Sequence, residues 1–526
     1  MITQDRDKSA LGPLVSVLIP TFNRKRFLPA ALAGALHQSY RNIEVIVVRD
    51  GGEKVRDVID FFNDPRIMFI DRQQNRGKAF SLNEGLVRSR GAYVAYLDDD
   101  DVYYPNHIST LVDTLENKTD CDLAYTDLYR TYCRLEPDGT RVVLSKVLEV
   151  SRDFDRFLML YFSHVLHVSL MHRRHLLDKT GPYNEDLQVL IDWDFTRKAC
   201  FFTGFHHIPT VTGEYYSPIG DCDRLSVSKR KDKKQYLKDA LSIRTVRPPK
   251  PWPKMKDVSI LFCLDCLDKL VADSLLALWQ HTFYPYRVYL PLSKQDLARL
   301  NSDMPNLVVV PIETPSSHAQ QIDAALQQCD GDVVVVLPKG FPIDQFWLED
   351  PLHALLNCPA SSRSIAIEME SSTDKLWAAV LNTDDLRRAR RDFPDLSIRD
   401  SLNAAGIVVR RPLPDEIPCR LDQSLAQARL AEKQGDWTLA ARIFQYVADH
   451  DGNELWMQSL AARDLFEAAE FDQADELCHQ INQQRPTVDT LLLEAKIKRQ
   501  KSDFDSAICL LESARQTLEG TQLSWT

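Results

Sequence analysis

The stretch "AYVAYLDDDDVYYP", residues 92–105, sets four consecutive carboxylates, Asp98, Asp99, Asp100 and Asp101, directly behind an apolar, aromatic run. Short β-rich runs of the same kind precede it: "LVSVLIP" from Leu14, "NIEVIVV" from Asn42 and "RIMFID" from Arg66. Between them lie segments with helical periodicity, "KRFLPAALAGALHQS", "EKVRDVIDFFN" and "GKAFSLNEGLVRS". This alternation predicts an α/β fold, a mostly parallel sheet covered by helices on both faces. Such sheets bind ligands beyond the carboxyl ends of their strands, and the four aspartates stand at such an end.

Adjacent like charges disfavour one another's ionised form, so four together behind a buried strand call for solvent, a cation or both. Alternate residues of an extended segment point the same way, which predicts Asp98 and Asp100 as one pair, with Asp99 and Asp101 facing elsewhere. A carboxylate pair with open positions suits Mg²⁺ or Mn²⁺ held jointly with substrate phosphates better than a closed all-protein cage. The bland alternative is a solvated acidic loop.

The rest of the chain narrows the setting. Its 526 residues are 44% hydrophobic and 26% charged, ordinary globular usage with length for three or more domains. Lys+Arg of 64 against Asp+Glu of 75 leaves a net charge of -11, so no overall basic field invites nucleic acid. The polar N-terminal tail, residues 1–13, has no apolar leader core, and no run approaches the roughly 18 apolar residues of a membrane span. No transmembrane segment is expected. A cytoplasmic location follows, with peripheral attachment to the inner face of a membrane as the alternative. Cys263 and Cys266 in "FCLDCLDK" have no second pair at zinc-site spacing, so the 11 cysteines read as free thiols.

The first α/β domain is expected over residues 14–243. The proline-rich "RTVRPPKPWPKMKD", 244–257, reads as a solvated linker. Residues 258–411 repeat the alternation, but the counterpart of the acidic stretch is "VVVVLPKGFPID", with Lys339 in the loop and only Asp344 near. From 421 to 520 the chain turns Ala- and Leu-rich. Trp437, Phe471 and Phe504 recur there at a period near 34, each followed three positions later by Ala440, Ala474 or Ala507. That pattern resembles tetratricopeptide repeats, which implies stacked helical hairpins and a protein partner in their groove. An ordinary helical bundle is the alternative.

"VSVLIPTFNRKRFLPAALAGALHQSYRNIEVIVVRDGG", followed by "NRGKAFSLNEGLVRSRGAYVAYLDDDDVYYP", resembles the N-terminal half of family 2 inverting glycosyltransferases with the GT-A fold. The resemblance implies a nucleotide-sugar donor, UDP- or dTDP-linked, with Pro20, Thr21 and Asp50 toward the base, Asp98 and Asp99 toward the ribose, and Asn23 also among the donor-binding residues. It implies Asp100 as ligand of a Mg²⁺ or Mn²⁺ on the diphosphate, and Arg76 or Lys78 on the donor phosphates, the alternative there being helix capping and surface charge. "VSILFCLDCLDKLVADSLLALWQHTFYPYRVYLP" resembles the opening of the same family without its acidic motif, which implies a second, degenerate GT-A-like domain.

An inverting transfer needs a base for the acceptor hydroxyl. In "NEDLQVLIDWDFTRKA" Asp192 and Asp194 precede a helix, where the dipole and free N–H groups favour carboxylates. The family's pattern maps its base onto Asp192, with Asp194 structural; the alternative is that both cap the helix and pair with Arg197. His164 and His167 read as packing residues. Tyr215, Tyr216 or Arg224 are candidates for donor contacts, and "SKRKDKK" from Ser228 for a solvated helix start or an anionic-acceptor rim. The expected activity is metal-dependent sugar transfer to a hydroxyl of a glycan, lipid-linked glycan or protein. Two rivals are a catalytically inactive scaffold acting through its repeats and a sugar nucleotidyltransferase, which the missing Gly-rich, Lys-containing loop near Pro20 disfavours.

Overall fold

The computed structural model describes residues 12–523 other than 137–139, 149–150, 220–232, 298–305, 314–315, 344–345, 359–363, 370–375, 414–415, 417–423, 425–427, 429–430, 433–434 and 451–453. Arg224, Asp344 and most of "SKRKDKK" lie outside the described residues. The chain forms two compact units, Met1–Tyr236 with Cys419–Thr526, and Leu237–Pro418.

The first unit opens with β1 (Val15–Thr21), α1 (Leu28–Leu36), β2 (Ile43–Asp50), α2 (Arg56–Phe62), β3 (Ile67–Arg72), α3 (Lys78–Arg88) and β4 (Tyr93–Tyr96). It continues through β5 (Val102–Tyr103), α4 (His107–Asn117), β6 (Cys121–Leu135), β7 (Arg141–Val147), α5 (Arg156–Tyr161), β8 (Leu170–Arg173), α6 (Leu176–Thr180), α7 (Ile191–Ala199) and β9 (Gly204–Pro218). Its sheet runs β3-β2-β1-β4-β8-β6-β9-β5, with β7 paired to β6. The first four strands are parallel, as expected; β8 then enters antiparallel to both β4 and β6, which makes the sheet mixed. Every residue of β2 is buried, because helices cover both of its faces and a continuous apolar run is what such a strand requires. Gly91 precedes β4 because a Cβ there would lie 2.5 Å from Ser16 Oγ, which instead accepts the Gly91 N–H.

The second unit has its own sheet. It contains β10 (Val258–Cys263), α8 (Lys269–His281), β11 (Tyr286–Leu292), β12 (Leu307–Pro311), α9 (His318–Gln328), β13 (Val333–Pro338), β14 (Ile365–Met369), β15 (Ala378–Asn382) and β16 (Val408–Arg410). The order is β12-β11-β10-β13-β15-β14-β16, so its first four strands repeat the opening order of the first sheet. The proline-rich 244–257, expected as a solvated linker, packs within this unit from 244 on: Trp252 is buried and Arg247 holds the buried Asp257 at 2.6 Å.

The C-terminal helices α10 (Trp437–His450), α11 (Glu454–Glu467), α12 (Phe471–Gln484), α13 (Val488–Gln500) and α14 (Phe504–Leu523) pack each on the next. Trp437, Phe471 and Phe504 each open a helix, and Ala440, Ala474 and Ala507 are buried three residues in. Gly435, Ala469 and Ser502 all take positive φ two residues before the aromatic, so the repeat extends to the backbone. The shared core of these helices also receives Leu158 from α5 of the sheet region.

Candidate active site

Strand pairing carries β4 to the edge of the acidic cluster, where the Leu97 N–H donates to the Leu18 carbonyl at 3.0 Å. The chain then turns, with the Asp101 N–H donating to the Asp98 carbonyl at 3.1 Å. The extended alternation expected from the sequence is therefore not what forms. The turn gathers carboxylate oxygens of Asp98, Asp100 and Asp101 within 4.8 Å of one another and sends Asp99 toward Arg24. Asp101 is anchored from the far strand, accepting the Tyr216 N–H at 2.9 Å. β5 can follow at once because β9 lies against it at Gly213, where a Cβ would stand 2.6 Å from the Val102 carbonyl oxygen.

Three cations compensate the cluster. Arg24 reaches Asp100 at 2.7 Å and Asp99 at 3.4 Å. Lys78, the first residue of α3, meets Asp98 at 2.6 Å. Arg141 on β7 feels Asp100 and Asp101, its guanidinium lying 3.9 Å from the Phe27 ring centre and 4.1 Å from that of Tyr216. Burial works against the charge on Lys78, but Asp98 outweighs it and raises the ammonium pKa; burial opposes Asp98 likewise, and Lys78 holds its carboxyl below the ordinary range. For Asp99 burial, with the charges of Asp100 and Asp98 behind it, outweighs Arg24 and pushes the carboxyl up to about 7. The second oxygen of Asp99 is buried with no hydrogen-bond partner among the described residues. The three crowded carboxylates of Asp98, Asp100 and Asp101 form an all-oxygen donor set that fits a hard divalent cation such as Mg²⁺ or Mn²⁺, which lowers the cost of their mutual repulsion.

The loops at the ends of β1 and β2 are tied to this cluster. Asp50 accepts the backbone N–H groups of Arg76 and Gly77, both at 2.8 Å, and pairs with Arg72 at 3.3 Å. It thereby fixes the turn from which Lys78 starts α3. Asn23, itself at φ 55, accepts the Glu53 N–H at 2.8 Å and closes the β1 loop on Gly51 and Gly52, both of which need the left-handed conformation. Pro20 and Thr21 end β1 beside them, and exposed Arg76 lies 3.3 Å from the centre of the Phe80 ring.

α7 supplies the other half. Leu190 takes φ 61 and no side chain caps the helix, so capping does not account for its two acidic residues. Asp194 is buried and pairs with Lys198 at 2.6 Å, where the sequence suggested Arg197. Asp192 is half-buried in the first turn, and its charge acts on Lys78 together with those of Asp98 and Asp100. Asn83 on α3 clamps the chain ahead of α7, donating to the Tyr183 carbonyl and accepting its N–H, both at 2.9 Å. His167 fills the space behind: it stacks on Tyr96 at 4.2 Å and hydrogen-bonds Tyr183 at 2.8 Å, and burial, with Lys78 beside it, pushes its pKa down to about 3. His164 is likewise buried and stacks on Phe154, so both are packing residues as expected.

Arg24 and Arg141 are the site residues that sequence reasoning missed. Arg24 follows Asn23 in the "TFNRKR" loop, where three basic residues compete and nothing local singles out one; Lys25 pairs with surface Asp57. Arg141 comes from a hairpin with no motif of its own.

With this geometry, similarity to known proteins can be weighed. Residues 16–168 match the model of glycosyl transferase family 2. The chain is 29% identical over 230 residues to the uncharacterized glycosyltransferase YwdF of Bacillus subtilis, covering 43% of this chain and 82% of that protein. It is 31% identical over 192 residues to the uncharacterized glycosyltransferase RP339 of Rickettsia prowazekii, covering 35% and 57%. Over 255 residues it is 26% identical to a PGL/p-HBAD biosynthesis glycosyltransferase of Mycobacterium bovis, covering 46% and 93%. The solved structure of S. aureus TarS 1-349 in complex with UDP-GlcNAc overlaps 44% of this chain and 66% of that one, at 18% identity and a TM-score of 0.35, too partial to bear on the donor. Together the sequence matches show residues 16–168 to be similar to family 2 glycosyltransferases. No helix among the described residues is long and apolar enough to cross a membrane.

Proposed function

We propose that this protein is a metal-dependent, inverting glycosyltransferase that moves a sugar from a UDP- or dTDP-linked donor to a hydroxyl of a glycan, lipid-linked glycan or protein. One observation carries the reading: the turn after β4 gathers carboxylate oxygens of Asp98, Asp100 and Asp101 within 4.8 Å of one another, and Lys78, which pairs with Asp98 at 2.6 Å, also feels the charge of Asp192.

In this reading Asp100, with Asp98 and Asp101 beside it, holds Mg²⁺ or Mn²⁺; when bound, the ion neutralises charge developing on the departing nucleoside diphosphate. Lys78 and Arg76 donate to the same phosphates. Pro20, Thr21, Asn23, Asp50 and Asp99 line the nucleoside side, Asp50 mainly by holding the Arg76 loop in place. Asp192 takes the proton of the acceptor hydroxyl as that oxygen attacks the anomeric carbon from the side opposite the leaving group, which inverts the configuration. The second unit is a degenerate copy of the GT-A architecture, and the C-terminal helices are a tetratricopeptide-like array that recruits the acceptor or a partner protein. The protein works in the cytoplasm, at or near the inner face of the membrane.

The test is a donor screen by nucleotide release with Mn²⁺, run beside Asp100→Ala and Asp192→Asn. Turnover that depends on metal and falls in both variants is expected; unchanged turnover in both overturns the site assignment.

A further inference from the structure

We infer that a cavity walled by β9, the segment after β7 and the C-terminal helices binds a neutral saccharide unit of the acceptor, a reading that rests on the glycosyltransferase function proposed above. The cavity measures about 340 Å³, within the range of small-ligand sites. Its floor is a closed polar network. His207 places one ring nitrogen 2.9 Å from Asp127 and the other 2.9 Å from Asp153. Arg485, at the end of α12, meets Asp127 at 2.5 Å and Ser151 at 2.8 Å through the same nitrogen. The other terminal nitrogen of Arg485 is buried and has no hydrogen-bond partner among the described residues. That nitrogen is closed off from the cavity, so what a ligand meets is the rest of the wall.

The wall narrows what can bind there. Asp153 is exposed and offers carboxylate oxygens, Gln484 offers an amide, and Pro209 and Leu455 offer apolar surface. Two carboxylates face Arg485 and an imidazole hydrogen-bonded on both nitrogens, so no excess of either charge draws in a phosphate or an acidic chain. A sugar ring presents hydroxyls that both donate and accept around its rim and C–H surface on its faces, which matches this mixture.

Sheet register supplies the link to the chemistry. Met171 of β8 faces Ala95 of β4 on one side and Ala124 of β6 on the other, in antiparallel pairing with both. β4 and β6 therefore run the same way. Asp98 and Asp127, each three residues beyond the paired alanines, stand at the same end of the sheet and two strands apart, about 10 Å between strand axes. The floor of the cavity and the acidic turn thus belong to one sheet, two strands apart.

The full-length protein, without donor, is screened on immobilised neutral oligosaccharides, acidic oligosaccharides and peptides. Retention of a neutral glycan is expected from the wild type and from Asp100→Ala, falling at least tenfold in Gln484→Ala, which lies outside the Asp127 network, and in Asp153→Ala, which removes one of the two partners of His207. Retention of no neutral glycan, retention of acidic glycans or peptides alone, or equal retention by both cavity variants overturns the proposal. Nucleotide release measured on the same proteins separates the two readings. A protein that retains glycan yet releases no nucleotide from any donor ends the transferase reading while the cavity assignment stands.

Discussion

The two sheets begin alike and end differently. Each opens with four parallel strands in the same order, and each carries a serine at the second position of its first strand against a glycine two residues before its fourth: Ser16 with Gly91, Ser259 with Gly331. A Cβ on either glycine would lie 2.5 Å from the serine oxygen. Counting on from those shared positions, Asp98 and Asp99 fall where the second sheet has Pro338 and Lys339. Lys339 meets Asp268 at 3.1 Å, so among the described residues the second strand end has a single ion pair where the first gathers three carboxylates and three cations. The frame is set by packing and repeats; the strand ends are set by chemistry and do not.

That comparison can be broken at several points. The largest effect is expected from Asp100→Ala, which should lower nucleotide release about 10³-fold, while Lys339→Ala at the matching strand end leaves it unchanged; a comparable loss in the second variant would mean that both sheets do chemistry. Asp192→Asn should cost sugar transfer about 10²-fold without moving the thermal midpoint, because an amide keeps the shape but accepts no proton. Gly91→Ala and Gly331→Ala probe the shared frame: each should destabilise its own unit by about 1–3 kcal/mol, read from denaturant unfolding, and unequal losses would show that the likeness is only topological.

The smallest effect concerns His207, for which the second sheet has no counterpart among the described residues. Burial lowers the pKa of this imidazole, but Asp127 and Asp153 outweigh burial and raise it above the ordinary value near 6.5. The stabilisation it gives is present in full below about 6.5 and is lost as pH rises through the folded value. Thermal midpoints measured from pH 5 to 9 should fall across that window in the wild type and stay flatter in His207→Gln.

Much of this was legible in the chain. The alternation of β-rich and helical runs located β1 to β4 and β10 to β13, since side-chain periodicity is a local property that burial on both faces imposes on each strand separately. The aromatic and alanine spacing located α10, α12 and α14. That Asp98 to Asp101 would draw positive charge could be read, because four carboxylates need compensation whatever surrounds them, and Arg24 and Lys78 provide part of it. The division of labour among them could not be read, because it depends on a turn: the Asp101 N–H bonded to the Asp98 carbonyl puts Asp101 with Asp98 and Asp100, against the two-residue alternation of an extended strand.

What the sequence determined by itself is the kind of molecule: two α/β sheets, one with an acidic strand end and one without, and a helical repeat behind them. Only the tertiary structure decided which charges meet. Arg24, Lys78, Arg141 and Asp192 come from four separate segments, and Arg485 reaches Asp127 from 358 positions further along the chain. Coulomb energy depends on distance through space and on the burial that removes water from between the charges, and neither quantity is written in the spacing of residues along the chain.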